Sequence, residues 1–201
     1  MWQHTQDSWF LAVNGFARTT PALQAPMRLY AEYGVVLFAA VLLLSWWWAR
    51  AHPDAETMAK ALWAPAGALL AIGLNQPLSN LVGEARPYTE FPHALVLVAH
   101  SQDYSFPSDH AVMAGAVAVG VLLTHRRLGA LTVVAALLLA FARVYVGAHF
   151  PLDVIVGLLF GAAVSLTGYL AVRRPLASAV AGLTRTPVRP LVTTSRAGVV
   201  R

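Results

Sequence analysis

The chain has 201 residues, of which 58% are hydrophobic and only 11% are charged, and its mean hydropathy is +0.60. Soluble domains carry roughly 25% charged residues, so the composition indicates a membrane protein. The absence of cysteine excludes a disulfide framework and thiolate chemistry. The N-terminal residues lack a basic stretch followed by an apolar one, so no cleavable signal peptide is predicted.

Five apolar stretches match the roughly 20 helical residues that cross a bilayer core of about 30 Å. They cover residues 29–49, 61–82, 109–125, 128–147 and 152–172. Residues 7–24 have the pattern of an amphipathic interfacial helix, broken near Pro21. Residues 93–100 are too short to span and are predicted as a surface or re-entrant helix. The expected fold is an all-α polytopic membrane bundle, with one domain over residues 1–174 and a basic, flexible tail at 175–201.

The positions of the basic residues predict the orientation of this bundle. If the five spans alternate, one side carries Arg50, Lys60, Arg126, Arg127, Arg173, Arg174 and the tail, which together hold most of the positive charge. The positive-inside rule makes this side cytoplasmic, so the loops 83–108 and 144–151 face outward. The preference for arginine over the single lysine suggests GC-rich bacterial coding. We therefore expect a bacterial plasma (inner) membrane protein with a cytoplasmic C-terminus, whose basic tail contacts anionic lipids.

The outward loops hold most of the polar groups that lie near membrane depth. They supply Glu84, Arg86 and Tyr88 after the second span, Ser108, Asp109 and His110 at the third, and Arg143, His149 and Asp153 between the fourth and fifth. Ionisable groups at such positions are costly and are functional candidates by default. Their occurrence at three helix ends on one membrane face predicts a single site. Glu84 is expected to pair with Arg86 or to face water.

Four of these residues have the chemistry of phosphoryl transfer. His149 and Asp153 stand four residues apart, so they share one face of a helix start. A carboxylate there can accept the Nδ1 proton of the imidazole and leave Nε2 with a free lone pair, which makes the ring a candidate nucleophile. Arg86 and Arg143 supply planar guanidinium groups that match phosphate oxygens in pairs.

The start of the third span adds groups that suit the same chemistry. Backbone N–H groups at a helix N-terminus bind anions, Ser108 adds a hydroxyl donor, and Asp109 contributes its N–H. His110, when protonated, can deliver a proton to a departing oxygen. No metal cage is evident in this set and no cofactor is expected, so catalysis would depend on positioning and on neutralising the phosphoryl oxygens.

Three short stretches, taken together, resemble the signature motifs of the type 2 phosphatidic acid phosphatase (PAP2) superfamily: Arg86-Pro87, Pro107-Ser108-Asp109-His110, and Arg143 followed by His149 and Asp153. The resemblance runs from about residue 75 to residue 153. It implies that His149 attacks phosphorus to form a phosphohistidine, that Asp153 orients His149, and that His110 protonates the leaving group. It further implies that Arg86, Ser108 and Arg143 hold the phosphoryl oxygens and that no metal takes part.

Three positions depart from the pattern of this family. Ser79 stands where the first motif usually has a lysine, Asp109 where the second usually has glycine, and Ala142 where the third usually has serine. The site therefore has one cation fewer than usual. Asp109 can cap the helix, pair with an arginine or raise the basicity of His110. These changes bear on affinity and substrate class more than on the reaction.

Several functions are compatible with these residues. The resemblance and the outward site favour a lipid phosphatase acting on undecaprenyl diphosphate or a related polyprenyl carrier. The alternatives are a phosphatidic acid or phosphatidylglycerophosphate phosphatase, and a non-catalytic membrane relative, which the missing lysine favours. A metal-dependent hydrolase using His93, His100 and Asp103 with His110 is conceivable, although the spacing is not a recognised zinc pattern. No nucleic-acid partner is expected, and the oligomeric state is open.

Overall fold

The computed structural model describes residues 2–52 and 54–194, and every regular element in these two ranges is a helix. In chain order the helices are α1 (Trp2–Thr19), α2 (Pro21–Arg50), α3 (Ala55–Val82), α4 (Pro87–Glu90), α5 (Asp109–Thr124), α6 (Arg126–Tyr145), α7 (Pro151–Leu183) and α8 (Arg189–Val192). Four long apolar helices, α2, the α3 region, α6 and α7, are long enough to cross a membrane. The predicted all-α membrane bundle is confirmed.

The shortest of the five apolar helices, α5, forms the centre of the bundle. Its 16 residues extend about 24 Å, and α2, α3, α6 and α7 all pack against it. Alanine, glycine and valine dominate its sequence, and most of its residues are buried. Small side chains let several membrane helices approach one helix closely, which accounts for this central position.

Glycine brings α5 and α7 into backbone contact. A Cβ atom at Gly161 would lie 1.9 Å from the carbonyl oxygen of Val112, and one at Gly115 would lie 2.2 Å from the carbonyl oxygen of Leu158. Neither position therefore accommodates a side chain unless the helices separate. The small residues at this interface are the ones that close packing of membrane helices requires.

The predicted loop helix at residues 93–100 is wrong, because this segment is not helical. Its backbone groups are satisfied by distant partners instead. The Asn14 amide of α1 donates to the Leu95 carbonyl at 2.8 Å and accepts from the Leu95 N–H at 3.0 Å, and the Leu97 N–H donates to the Val146 carbonyl at 3.0 Å. Tertiary hydrogen bonds therefore replace helical ones here.

The C-terminal region differs from the tail expected at 175–201. The boundary at residue 174 falls within α7, which continues to Leu183 and tolerates the internal Pro175. Beyond it, the short α8 segment returns to the end of α2. The Trp46 indole donates to the Leu191 carbonyl at 3.0 Å, and the Thr194 N–H donates to the Arg50 carbonyl at 2.8 Å. Residues 195–201 of the expected tail lie outside the described residues.

Candidate active site

The end of α3 carries Arg86 to one end of the bundle, which also holds the loops before α5 and α7. The helix stops at Gly83, whose φ of 65° is left-handed and whose N–H donates to the Ser79 carbonyl at 2.9 Å. Glycine adopts this conformation without the steric cost that other residues meet. The chain then turns and places Arg86 immediately before α4.

The turn between α6 and α7 carries His149. Gly147 has a φ of 79°, and a Cβ there would lie 2.6 Å from the Leu95 carbonyl oxygen, so both the conformation and the space require glycine. The Ala148 N–H donates to the Arg143 carbonyl at 3.1 Å, which closes the turn. His149 follows with its side chain almost completely buried.

The hydrogen bonds of His149 identify its tautomer. Nε2 lies 3.2 Å from Nη1 of Arg86 and 3.3 Å from Nη2 of Arg143, and both guanidinium groups can only donate. Nδ1 lies 2.9 Å from the carbonyl oxygen of Ser105, which can only accept. The proton therefore resides on Nδ1, and Nε2 carries a lone pair.

Burial lowers the pKa of His149 well below its usual value of 6.5, and the positive charges of Arg143 and Arg86 lower it further. The imidazole is consequently neutral at physiological pH. A neutral ring whose lone pair faces two guanidinium groups combines a nucleophile with a place for an anion. A phosphoryl group that reached Nε2 would meet both arginines at once.

The carboxylate of Asp153 supports His149 less directly than its spacing predicts. Its Oδ2 atom lies 3.4 Å from His149 Nδ1, which is farther than the Ser105 carbonyl. The same oxygen accepts hydrogen bonds from the Ser105 hydroxyl and from the Phe150 N–H, the latter at 2.8 Å. Ser105 therefore links both members of the predicted pair, because it offers its carbonyl to His149 and its hydroxyl to Asp153.

The side chain of Asp109 is held by α3 and pairs with neither arginine. The Asn75 amide donates to Oδ1 at 2.7 Å, and the Gln76 amide donates to both carboxylate oxygens at 3.0 and 3.2 Å. Asn75 is fully buried and also donates to the Pro107 carbonyl at 3.0 Å. The amides of α3 thus fix the start of α5, where His110 follows.

A cavity of about 370 Å³ adjoins these groups. Five of the seven predicted site residues line it, namely Arg86, Asp109, His110, Arg143 and His149. Ser108 and Asp153 are fully buried and are not among the lining residues. Ser108 donates its N–H to the Asp153 carbonyl at 3.1 Å, while its hydroxyl has no hydrogen-bond partner.

Several neutral polar side chains also line this cavity, together with the carboxylates of Asp103 and Asp109. Gln76, Ser79 and Asn80 line it from α3, and Ser101 and Gln102 line it from the loop. Ser79, which stands at the position of the usual lysine, is one of these lining residues. The positive charge of the lining residues comes from Arg86 and Arg143, beside His149.

Two contacts differ from the sequence interpretation. Glu84 accepts a hydrogen bond from the Gln6 amide at 2.8 Å, whereas Arg86 pairs with Asp103 at 2.7 Å. From the sequence alone, Asp103 is only a candidate metal ligand, and no role is predicted for Ser105. The only sequence feature that points to a role for Asp103 and Ser105 is their position a few residues before the second motif. The backbone carbonyl of Ser105 cannot be recognised from charge or spacing.

The buried histidine between two arginines at the end of a membrane bundle supplies a nucleophile and the positive charge that phosphoryl transfer requires. The sequence pattern of the PAP2 superfamily matches residues 60–176, which include all seven predicted site residues. The chain belongs to the PAP2 superfamily, and it is a membrane phosphatase.

Named relatives and solved structures agree with this membership. The chain is 30% identical over 147 residues to undecaprenyl-diphosphatase BcrC of Bacillus subtilis, covering 73% of each chain. Its fold is similar to the first transmembrane PAP2 type phosphatidylglycerolphosphate phosphatase from Bacillus subtilis, with a TM-score of 0.62, 23% identity and coverage of 82% and 83%. It is also similar to Aquifex aeolicus LpxE, with a TM-score of 0.58, 26% identity and coverage of 80% of this chain and 92% of that chain.

Proposed function

We propose that this protein hydrolyses a polyprenyl diphosphate, such as undecaprenyl diphosphate, to the lipid monophosphate and inorganic phosphate. The observation that carries the proposal is the position of His149 Nε2, 3.2 Å from Arg86 and 3.3 Å from Arg143. The name of the Bacillus subtilis relative, which aligns over 73% of this chain, supports the choice of substrate.

The proposed reaction has two steps. Nε2 of His149 attacks the terminal phosphorus, the bond from that phosphorus to the bridging oxygen breaks, and the lipid monophosphate leaves. Water then attacks the phosphohistidine, which releases inorganic phosphate and restores the lone pair on Nε2. Arg86 and Arg143 neutralise the phosphoryl oxygens in both steps, so the reaction uses no metal ion.

The remaining predicted residues have supporting roles in this proposal. Asp153 and the Ser105 carbonyl keep the proton on Nδ1 of His149. The first turn of α5 presents unpaired backbone N–H groups, including that of Asp109, to the phosphoryl oxygens. We assign the Ser108 hydroxyl, which has no hydrogen-bond partner, as a further donor to this anion. His110 protonates the leaving oxygen.

We propose that the site faces outward from a bacterial plasma membrane and that the C-terminus is cytoplasmic. The loops between α3 and α5 and between α6 and α7 form the site end of the bundle, whereas the opposite end carries Arg126, Arg127, Arg173 and Arg174. The positive-inside rule places that basic end in the cytoplasm, where it would contact anionic lipids.

A phosphate-release panel tests the proposed substrate. Purified full-length protein in detergent is given polyprenyl diphosphate, phosphatidic acid and phosphatidylglycerophosphate at equal concentrations. The proposal predicts the highest kcat/KM for the polyprenyl diphosphate. A preference for phosphatidic acid or phosphatidylglycerophosphate would overturn this substrate and favour the ester-hydrolysing alternative.

Replacement of His110 by alanine is expected to separate diphosphate from ester substrates. A diphosphate releases a phosphate monoester, which leaves readily, whereas an ester releases an alkoxide that needs a proton. We expect His110→Ala to reduce kcat on phosphatidic acid by about 10²-fold or more, and on a diphosphate by less than about tenfold. Equal losses on both substrates, measured as initial rates of phosphate release, would exclude His110 as the acid.

A further inference from the structure

The guanidinium group of Arg86 is contacted along two different edges. On the outer edge, Nη2 donates to Oδ1 of Asp103 at 2.7 Å, and Nε donates to the same oxygen at 3.1 Å and to the Asp103 carbonyl at 3.2 Å. At the inner end, Nη1 donates to the Ala148 carbonyl at 2.9 Å and faces His149 Nε2 at 3.2 Å. The Asp103 carboxylate can therefore stay on the outer edge of the guanidinium group while its inner end remains directed at His149.

The segment that carries Asp103 lies against the segment that carries Arg86. Three pairs are in contact at alternate positions and in opposite order along the chain: Glu84 with Ser105, Arg86 with Asp103, and Tyr88 with Ser101. The Ser105 N–H donates to the Glu84 carbonyl at 2.8 Å. This antiparallel register holds Asp103 opposite Arg86 independently of the ion pair itself.

Tyr88 holds residue 101, the end of this paired segment that lies away from His149. Its hydroxyl accepts from the Ser101 N–H at 2.9 Å and donates to the Ser101 carbonyl at 3.0 Å. Its ring stacks on His100 with the centroids 4.1 Å apart and the planes within 4°. At the near end, Ser105 contacts both His149 and Asp153. A single segment, residues 101–105, is thus attached at both ends and supports both Arg86 and His149.

We propose that Asp103 is a positioning residue, which holds the outer edge of Arg86 so that the inner end contacts the phosphoryl group beside His149, and which keeps this contact during turnover. The inference rests on the proposed function, since it assigns the support of a phosphate-binding arginine. Asp103 does not touch the reacting atoms and acts only through Arg86.

The charges of Arg86 and Asp103 favour an ion pair that persists when substrate binds. The Arg86 side chain is only 7% exposed, and a buried guanidinium group without a partner is strongly unfavourable. Burial pushes the pKa of Asp103 upward, but the hydrogen bond from Ser101 and the charge of Arg86 outweigh it and hold the pKa below its usual range. The carboxylate is therefore ionised at physiological pH. The alternative is an exchangeable contact, in which Asp103 competes with substrate and is displaced by it.

A lasting contact and an exchangeable contact between Asp103 and Arg86 predict opposite effects of neutralising Asp103 on phosphate binding. The full-length protein in detergent is compared with its Asp103→Ala, Asp103→Asn and Asp103→Glu variants, by KM for the lipid substrate and by calorimetric Kd for inorganic phosphate. We expect Asp103→Ala to raise both constants about tenfold, because the guanidinium group of Arg86 is then no longer held in the orientation that contacts the phosphoryl group. Asp103→Asn keeps an oxygen acceptor and should show a smaller increase, and Asp103→Glu should recover most of the loss.

Glu90→Gln is the matched control, because Glu90 is an exposed carboxylate of the same outer region that does not line the cavity. Its constants should equal those of the original protein. Tighter phosphate binding in Asp103→Asn would show an exchangeable contact and overturn the inference, as would unchanged constants in Asp103→Ala. Phosphate binding that weakens in Asp103→Ala, without phosphate release from any lipid, would support the inference and refute the proposed function.

Discussion

Replacement of His149 by alanine is expected to reduce phosphate release by at least about 10³-fold, because the proposed reaction passes through a covalent bond to this residue. The ring lies between two guanidinium groups, and among the described side chains that line the cavity no other nucleophile has this arrangement. Initial rates with saturating polyprenyl diphosphate measure the effect. The variant should still bind inorganic phosphate, since Arg86 and Arg143 remain.

His93→Ala is the control for this measurement, because His93 is an exposed histidine of the loop between α4 and α5 that does not line the cavity. Its rate should match that of the original protein. Thermal unfolding of His149→Ala in detergent shows whether the loss has a structural cause, since the ring is buried. A well-folded His149→Ala protein that retains more than a tenth of the activity would contradict the proposed nucleophile.

Replacement of Gly161 by alanine is expected to destabilise the bundle more than the same replacement at any other glycine of α7. The new Cβ would lie 1.9 Å from the Val112 carbonyl oxygen, so α5 and α7 must move apart. Overpacking of this kind costs about 1–3 kcal/mol or more, which exceeds the roughly 1 kcal/mol that alanine gains over glycine in a helix. We expect a fall of several degrees in the unfolding temperature, together with reduced activity, because the start of α5 forms part of the site.

Gly182→Ala is the matched substitution on the same helix. Apart from the backbone of its own helix, no atom of the described residues lies within 4 Å of a Cβ built at Gly182, so only the gain in helix propensity remains. Its unfolding temperature should therefore equal or slightly exceed that of the original protein. If Gly161→Ala and Gly182→Ala unfold at the same temperature, the close contact between α5 and α7 is not present in the membrane protein.

The helices and the location of the site could be predicted because both depend on local patterns. Apolar runs of about 20 residues define the spans, and their alternation places the ends of α3, α5, α6 and α7 on common faces of the membrane. Arg86, Arg143 and His149 all lie within a few residues of these helix ends. The approach of both guanidinium groups to within 3.3 Å of His149 Nε2 is therefore a consequence of the topology.

The details of the site could not be predicted because they depend on neutral groups far apart in sequence. His149 Nδ1 donates to a backbone carbonyl 44 positions earlier, and a carbonyl has no signature in a sequence. Asp103 looks like any loop carboxylate until the antiparallel register places it beside Arg86. The apolar residues of segment 93–100 predict a helix, whereas the Asn14 side chain, 81 positions from Leu95, satisfies the backbone of that residue.

The C-terminal region shows the same limit. Basic and small residues after position 174 suggest a solvated tail, and no local pattern marks the return of the chain to α2. The contact forms because the Trp46 indole and the Arg50 carbonyl need partners at the end of α2, and Leu191 and Thr194 supply them. Satisfaction of polar groups at a helix end is a tertiary property.

The most direct measurement is the chemical identification of the residue that carries the phosphoryl group. The protein is mixed with substrate labelled with ³²P in its terminal phosphate, quenched in base within one turnover, and digested, and the labelled peptide is identified by mass spectrometry. The proposed mechanism predicts an acid-labile, base-stable label on His149 that is absent from the His149→Ala variant. Turnover with the label on another residue, or with no label at any time point shorter than one turnover, would contradict it.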